Sequence, residues 1–151
     1  MVSEKAKELA ILVIGLAGGN LTSETRFQKT AFVVNELTKF GVKFEPMDFG
    51  PFSKELADAV KELNKEKLLR YEVDDDGVVH YVLTQKGKEK LEKLKEGISK
   101  DDLEKIRAVV NKFKDAPLTY ILAYVYSKYP QYTVKSKIID KVEEWRRYYG
   151  I

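Results

Sequence analysis

Ser53-Lys54-Glu55-Leu56-Ala57-Asp58-Ala59-Val60-Lys61-Glu62-Leu63 leads, after Lys67, into Leu69-Arg70-Tyr71-Glu72-Val73, Asp74-Asp75-Asp76-Gly77 and Val79-His80-Tyr81-Val82-Leu83-Thr84. In the first piece Leu56, Ala57, Val60 and Leu63 draw one apolar stripe at helical spacing. Ser53 is placed to cap that helix, its hydroxyl accepting an unpaired amide of the first turn. Beyond Lys67 the period changes to alternation, so that Leu69, Tyr71 and Val73 share a side, as do Val79, Tyr81 and Leu83. A three-residue loop Asp75-Asp76-Gly77 with Gly77 left-handed sets Val73 against Val79, Tyr71 against Tyr81 and Leu69 against Leu83. A slip of one residue would set Tyr71 against His80 and mix the faces, at the expense of core burial. Thr84 then caps a further helix. Helix, hairpin and helix in this order predict the last part of a winged helix-turn-helix, in a chain that is mainly α with a small β-hairpin.

Working outward, 151 residues give room for one domain with a core of its own, or a small domain with an appended helical unit. We divide the chain into a winged-helix domain over 1–97 and a helical C-terminal extension over 98–151. The extension either packs on the first unit or forms a dimer contact. Hydrophobic residues at 44% and charged residues at 34% mark a globular chain rather than a disordered one. The absence of cysteine excludes disulfides, thiolate zinc sites and a cysteine nucleophile. The wealth of Lys and Glu, with few Gln, is compatible with a heat-adapted source and also with a Lys/Glu-rich mesophile. A net charge of +3 leans weakly toward anionic partners.

Before the opening stretch, Leu9 to Ala17 is nearly all apolar but too short to cross a bilayer. Acidic Glu4 and Glu8 stand where a secretory leader would be basic. This reads as a helix buried on most sides and closed by Gly18-Gly19, which places the protein in the cytoplasm. Thr22-Ser23-Glu24 opens a second helix, to about Lys39, with Phe27, Ala31, Val34 and Thr38 in line and Phe32 and Leu37 beside them. Gly41 is expected to end it. Val42, Phe44 and Pro46 lead to the turn Met47-Asp48-Phe49-Gly50-Pro51-Phe52, whose two phenylalanines are expected to pin it to the core.

Three of these pieces carry a resemblance: Arg26-Phe27-Gln28-Lys29-Thr30-Ala31-Phe32, Phe49-Gly50-Pro51-Phe52-Ser53-Lys54-Glu55-Leu56, and Leu83-Thr84-Gln85-Lys86-Gly87. Together they resemble the Panacea family, the SocA-like antitoxin domains and their YwgA-like relatives in bacteria and archaea. That pattern has a basic residue and LQK on an early helix, a YGP turn followed by Ser and Leu, and a strand ending near LT-x-x-G. Phe27 stands here for the usual Leu and Phe49 for the usual Tyr. Tyr126 to Thr133 is similar to the tail of some archaeal YwgA-like proteins. Tyr81 to Gly87 is also similar to the strand-to-helix junction of winged-helix repressors of the PadR and MarR kinds. The resemblance implies a regulatory role, in which some members deliver a toxin to a protease, and it carries over no catalytic residue.

The second half reads as helices. Lys86 to Glu96 shows only Leu91 and Leu94, then Ile98, on a narrow apolar seam suited to a surface helix or a partner. Ser99 caps a helix with Leu103, Ile106, Val110 and Phe113 on one face. Asp115-Ala116-Pro117 starts another, with Leu118, Ile121, Leu122 and Val125 in line, stopped by Tyr129-Pro130. A last helix is expected from about Thr133 to Tyr149 along Val134, Ile138, Val142, Trp145 and Tyr149. Seven of the nine tyrosines and the single tryptophan lie between Tyr120 and Tyr149, as a satellite core or a contact patch.

His80 is expected on the outer face of its strand, with neither fellow ligands nor a nucleophile beside it. Asp74 to Asp76 fit a hairpin turn better than a metal site, because consecutive residues at a tip do not converge on one ion. Gly18-Gly19 lacks the strand and Gly-Lys-Thr pattern of a phosphate loop. We therefore expect no enzyme, no cofactor and no metal. Two functions remain. One is a winged-helix transcription regulator binding duplex DNA, as a possible homodimer, through Lys54, Lys61 and Lys65 with Lys86 and Lys88 just past the wing. Glu55, Glu62, Glu66 and the wing aspartates weigh against it, and the helix carries no Arg or Gln to read base edges. The other is a protein-binding antitoxin or adaptor that meets a toxin or protease component through Phe49, Pro51 and Phe52 or through Tyr120, Tyr124 and Trp145.

Overall fold

The computed structural model describes residues 2–151, and the chain is mainly helical with two small antiparallel sheets. Helix α1 (Glu4–Leu16) is capped by Ser3, whose side chain accepts the Ala6 amide. It is buried from Leu9 through Ile14 on every side. Gly18 and Gly19 end it at φ +101° and +91°, and the Gly19 amide returns to the Ile14 carbonyl at 3.1 Å, which satisfies an orphaned carbonyl. No helix among the described residues is long and apolar enough to cross a membrane.

Strand β1 (Asn20–Thr22) follows, then α2 (Glu24–Thr38), capped by Ser23. The left-handed residue that closes α2 is Lys39 at φ +52° rather than Gly41. Leu37, expected in the apolar line, is 45% exposed. Phe27 to Val34 is buried without a break, polar Gln28, Lys29 and Thr30 included. The reason is crowding from several sides: α2 packs against α1, β3 (Gly50–Phe52), α5 (Lys100–Phe113) and α6 (Leu118–Lys128).

The Gly-Pro turn is itself a small hairpin, in which β2 (Glu45–Met47) pairs with β3, Pro46 opposite Pro51 and Met47 opposite Gly50. Helix α3 (Lys54–Lys65) starts where expected, the Ser53 hydroxyl accepting the Leu56 amide at 3.0 Å. It buries Leu56, Ala59, Val60 and Leu63. Lys7 of α1 pairs with Glu66 just past its end at 2.9 Å.

The second hairpin has the expected register. Strands β4 (Leu69–Val73) and β5 (Val79–Leu83) set Leu69 against Leu83, Tyr71 against Tyr81 and Val73 against Val79. Gly77 is left-handed at φ +79°. Burial fades toward the tip, however, and Val73 is 56% exposed because the hairpin outruns the core. The sheet has a third strand, in the order β1-β5-β4, with Leu21 opposite Tyr81. Three residues are too few to display a period, which is why the sequence reads as a helix start there.

Helix α4 (Gln85–Glu96) is capped by Thr84 and lies along α1. Gly87 is demanded by space: a Cβ there would stand 2.1 Å from the Leu68 carbonyl oxygen, far inside contact distance. Helix α5 begins after Ser99, which accepts the Asp102 amide at 3.1 Å, and α6 begins after Pro117. Ile106, Val110, Phe113, Ile121 and Val125 join the same core as α1 and α2, while Leu122, Tyr126 and Val142 form a satellite core with Ile138 and Trp145 against it.

The last helix, α7 (Ile139–Tyr149), starts six residues later than the stripe predicts. A 3₁₀ turn occupies Pro130–Tyr132, and Val134 is 70% exposed. Competing local bonds hold 133–138 out of the helix. The Ser136 and Tyr126 hydroxyls bond to each other at 2.6 Å, the Ser136 hydroxyl accepts the Ile138 amide at 3.1 Å, and the Lys137 amide donates to the Asp48 carbonyl at 2.8 Å.

Candidate functional site

Arg26, Gln28 and Lys29 lie within four residues of α2 but do three separate jobs. Arg26 Nη1 donates to the carbonyl oxygens of Phe113 and Ala116, both at 2.6 Å, so its guanidinium caps the C-terminal end of α5. Gln28 is 2% exposed and reaches the backbone just before α3. Its Nε2 donates to the Ser53 carbonyl at 3.1 Å and its Oε1 accepts the Ser53 amide at 2.9 Å. A side-chain amide thus does the work of a neighbouring strand for the residue that caps α3. This contact links two stretches that are 25 residues apart in sequence.

Lys29, with Gln28 beside it, lines a pocket of about 200 Å³ between the start of α2 and the β2–β3 hairpin. It is 3% exposed. Burial lowers its pKa to about 8, an effect that Glu24 partly opposes by attraction through space. Sequence reasoning passed over Lys29 as one member of a motif. A lysine on a helix with one apparent stripe is taken for solvent-facing unless several neighbouring elements are known to close around it.

Among the partner-binding candidates, Pro51 is buried and Phe52 half-buried, but Phe49 is 55% exposed beside Met47 at 46%. The expectation that both phenylalanines pin the turn is therefore corrected for Phe49. The turn is held instead by backbone and small contacts. Gly50 sits at φ +93°, where a Cβ would lie 2.9 Å from Cε1 of Tyr126. Asp48 meets Lys137 through both its carbonyl and its carboxylate, the latter at 3.3 Å. The aromatic candidates divide. Tyr120 and Tyr124 neighbour each other at 6.4 Å, against Phe113, whereas Trp145 packs on the satellite core of Leu122, Tyr126 and Val142. Tyr120 also meets Tyr149 of α7 at 5.2 Å, one turn beyond Trp145, so Tyr149 joins the two groups along α6 and α7.

The lysine candidates also divide. Lys54, Lys61 and Lys65 are exposed on the side of α3 away from its buried stripe. None of them is ion-paired among the described residues. Lys86 and Lys88 stand at the start of α4, where Lys86 Nζ donates to the Glu66 carbonyl at 3.2 Å and so caps the far end of α3. Asn64, the one residue of α3 with a side-chain amide, accepts the Tyr71 amide at 3.2 Å.

At the wing tip, Asp74 Oδ1 accepts the amides of Asp76 and Val78 at 2.9 and 3.0 Å, and its Oδ2 meets His80 Nε2 at 2.8 Å. These bonds, that to His80 foremost, hold the Asp74 carboxyl below the ordinary carboxylate value. His80 is thus a turn fastener. No grouping of His, Asp or Glu that could hold a metal occurs among the described residues. No family model matches the chain, and no curated protein matches it.

Proposed function

We propose that the protein is a winged-helix transcription regulator that binds duplex DNA through the exposed side of α3, without catalysis. The observation that carries this reading is the order α1-β1-α2-β2-β3-α3-β4-β5, in which the small β2–β3 hairpin stands between α2 and α3 and the other strands are arranged β1-β5-β4. It sets α3 on the outside with Lys54, Lys61 and Lys65 free on one side. Helix entry into a groove with lysines on its rims is the docking mode of this architecture. Glu55 and Asp58 occupy the first turns of α3 and Asp74 to Asp76 the wing tip, so phosphate contact falls chiefly to Lys61 and Lys65. The cytoplasm is the compartment that suits this role, and the C-terminal helices are the surface for a homodimer.

The test is anisotropy of a labelled duplex between about 50 and 200 mM salt. Two lysine–phosphate contacts give a log–log slope of about −1.8, a loss of about twelvefold over that range, and a third from Lys54 steepens it to about −2.7, a loss of about fortyfold. K61E/K65E is expected to abolish binding. Absence of binding at the lower salt overturns the reading.

A second reading, a protein-binding antitoxin or adaptor of the Panacea type, draws support from the β2–β3 tip. There Met47 and Phe49 are displayed on a turn that Gly50, Tyr126 and Lys137 hold from behind. Exposed apolar side chains on a firmly held turn lose little entropy on docking. Its test is capture of a toxin or protease component by the native protein, lost in the double substitution M47S/F49S.

A further inference from the structure

We propose that the pocket floored by Lys29 is a binding site for a small monocarboxylate with an apolar body. Lys29 is 3% exposed, and no carboxylate lies within ion-pair distance of its ammonium among the described residues. A buried cation without a partner is costly, and an anion entering from solvent removes that cost. The pocket is about 200 Å³, the size of a single ring or a branched chain rather than of a nucleotide. Met47, Phe49 and Phe52 line it with apolar surface.

The rim selects further. Glu24 and Asp48 also line the pocket, but both are exposed, and Asp48 is engaged by Lys137 at 3.3 Å. Their charges are screened by water and salt, whereas Lys29 acts from the low-dielectric floor. One negative charge carried on an apolar group is therefore favoured, and a multiply charged ion such as phosphate is repelled at the mouth. The pocket also adjoins Gln28, which holds Ser53, so occupancy bears on the start of α3. The proposal stands whether or not α3 binds DNA.

The probe is benzoate, titrated into the full-length protein and followed by amide chemical shifts, with benzamide as the neutral isostere and inorganic phosphate as the multiply charged control. Expected is saturable benzoate binding at pH 7, with benzamide and phosphate each at least about tenfold weaker. Benzoate stays ionised throughout, while the Lys29 ammonium, with its pKa near 8, loses its proton as the pH rises. Affinity is therefore flat below pH 8 and falls about tenfold per unit above it. The groups facing Lys29 are Glu24 on its own helix and Asp48 with its Lys137 partner on the hairpin side, with the Tyr126 phenol behind Gly50. K29M keeps the length of the side chain and removes the charge, and is expected to cost at least about tenfold in benzoate affinity. F49A, at the exposed rim, leaves the fold intact and is expected to weaken benzoate severalfold. No saturation by about 10 mM, equal affinity for benzamide, tighter binding of phosphate, or an unchanged affinity in K29M each overturns the proposal.

Discussion

Replacing Gln28 by leucine isolates the contact that ties α2 to the start of α3. Leucine fills nearly the same volume, so neither a cavity nor a replacing water complicates the result. The Ser53 amide, now paired at 2.9 Å, is left without a partner at a residue that is 0% exposed. The Ser53 carbonyl loses the 3.1 Å bond from Gln28 but keeps the Ala57 amide at 3.1 Å. A buried, unpaired amide costs about 1–3 kcal/mol and the second bond of a carbonyl that keeps one partner about 0.5–1.5 kcal/mol, together about 1.5–4.5 kcal/mol. The better burial of leucine over an amide returns about 1–2 kcal/mol. The expected net loss is about 1.5 kcal/mol, set against a typical folding stability of about 5–15 kcal/mol. For a chain of this size that lowers Tm by about 3–6 °C. Urea unfolding of the wild type and Q28L reads the loss directly, provided the m-values agree. Amide exchange at Leu56, which donates to the Ser53 hydroxyl at 3.0 Å, should quicken as its cap loosens. A loss below about 0.5 kcal/mol, or an unchanged Leu56 rate, refutes the assignment of Gln28 as the support of the α3 cap.

Gly50→Ala combines a left-handed backbone cost of about 1–2 kcal/mol with a Cβ only 2.9 Å from the Tyr126 ring. An overall loss of about 2–3 kcal/mol is expected in urea unfolding, and a loss under about 1 kcal/mol would show that the hairpin can lift off α6. For Asp74 the sign follows from its lowered pKa. The turn's stabilisation is fully present above the unfolded value near 3.8 and is lost as pH falls through the lower folded value. Protection of the Asp76 and Val78 amides against hydrogen exchange, taken relative to the intrinsic rate at each pH, should therefore fall in acid in the wild type. In D74N it should lack that acid-dependent step, and an identical profile in the two proteins would contradict the assignment.

Local chemistry was legible in the chain. Ser53, Thr84 and Ser99 each cap a helix as their positions imply, because a cap needs only a hydroxyl and an amide three residues on. The β4–β5 register followed from alternation and a left-handed Gly77, since a slip by one would turn every apolar side chain outward. Where several bonds compete, the reading failed. The Val134 to Ile138 stripe suits a helix, yet Ser136 and Lys137 bond to Tyr126 and Asp48 instead. Phe49 is apolar enough to expect inside, yet Gly50 and Pro51 occupy the place against the core.

The amino-acid order alone determined where the helices capped by Ser53, Thr84 and Ser99 begin, which residues of β4 and β5 face each other, and that cysteine chemistry is excluded. These depend on groups within a few residues, or on a single period, and so are present in the chain before it folds. Tertiary structure alone decided that three residues after Gly19 form a third strand, that Gln28 serves Ser53, and that Lys29 lies buried beneath an apolar rim. Those outcomes depend on which distant surfaces close over a residue, and burial by several elements at once leaves no period in the sequence of any one of them.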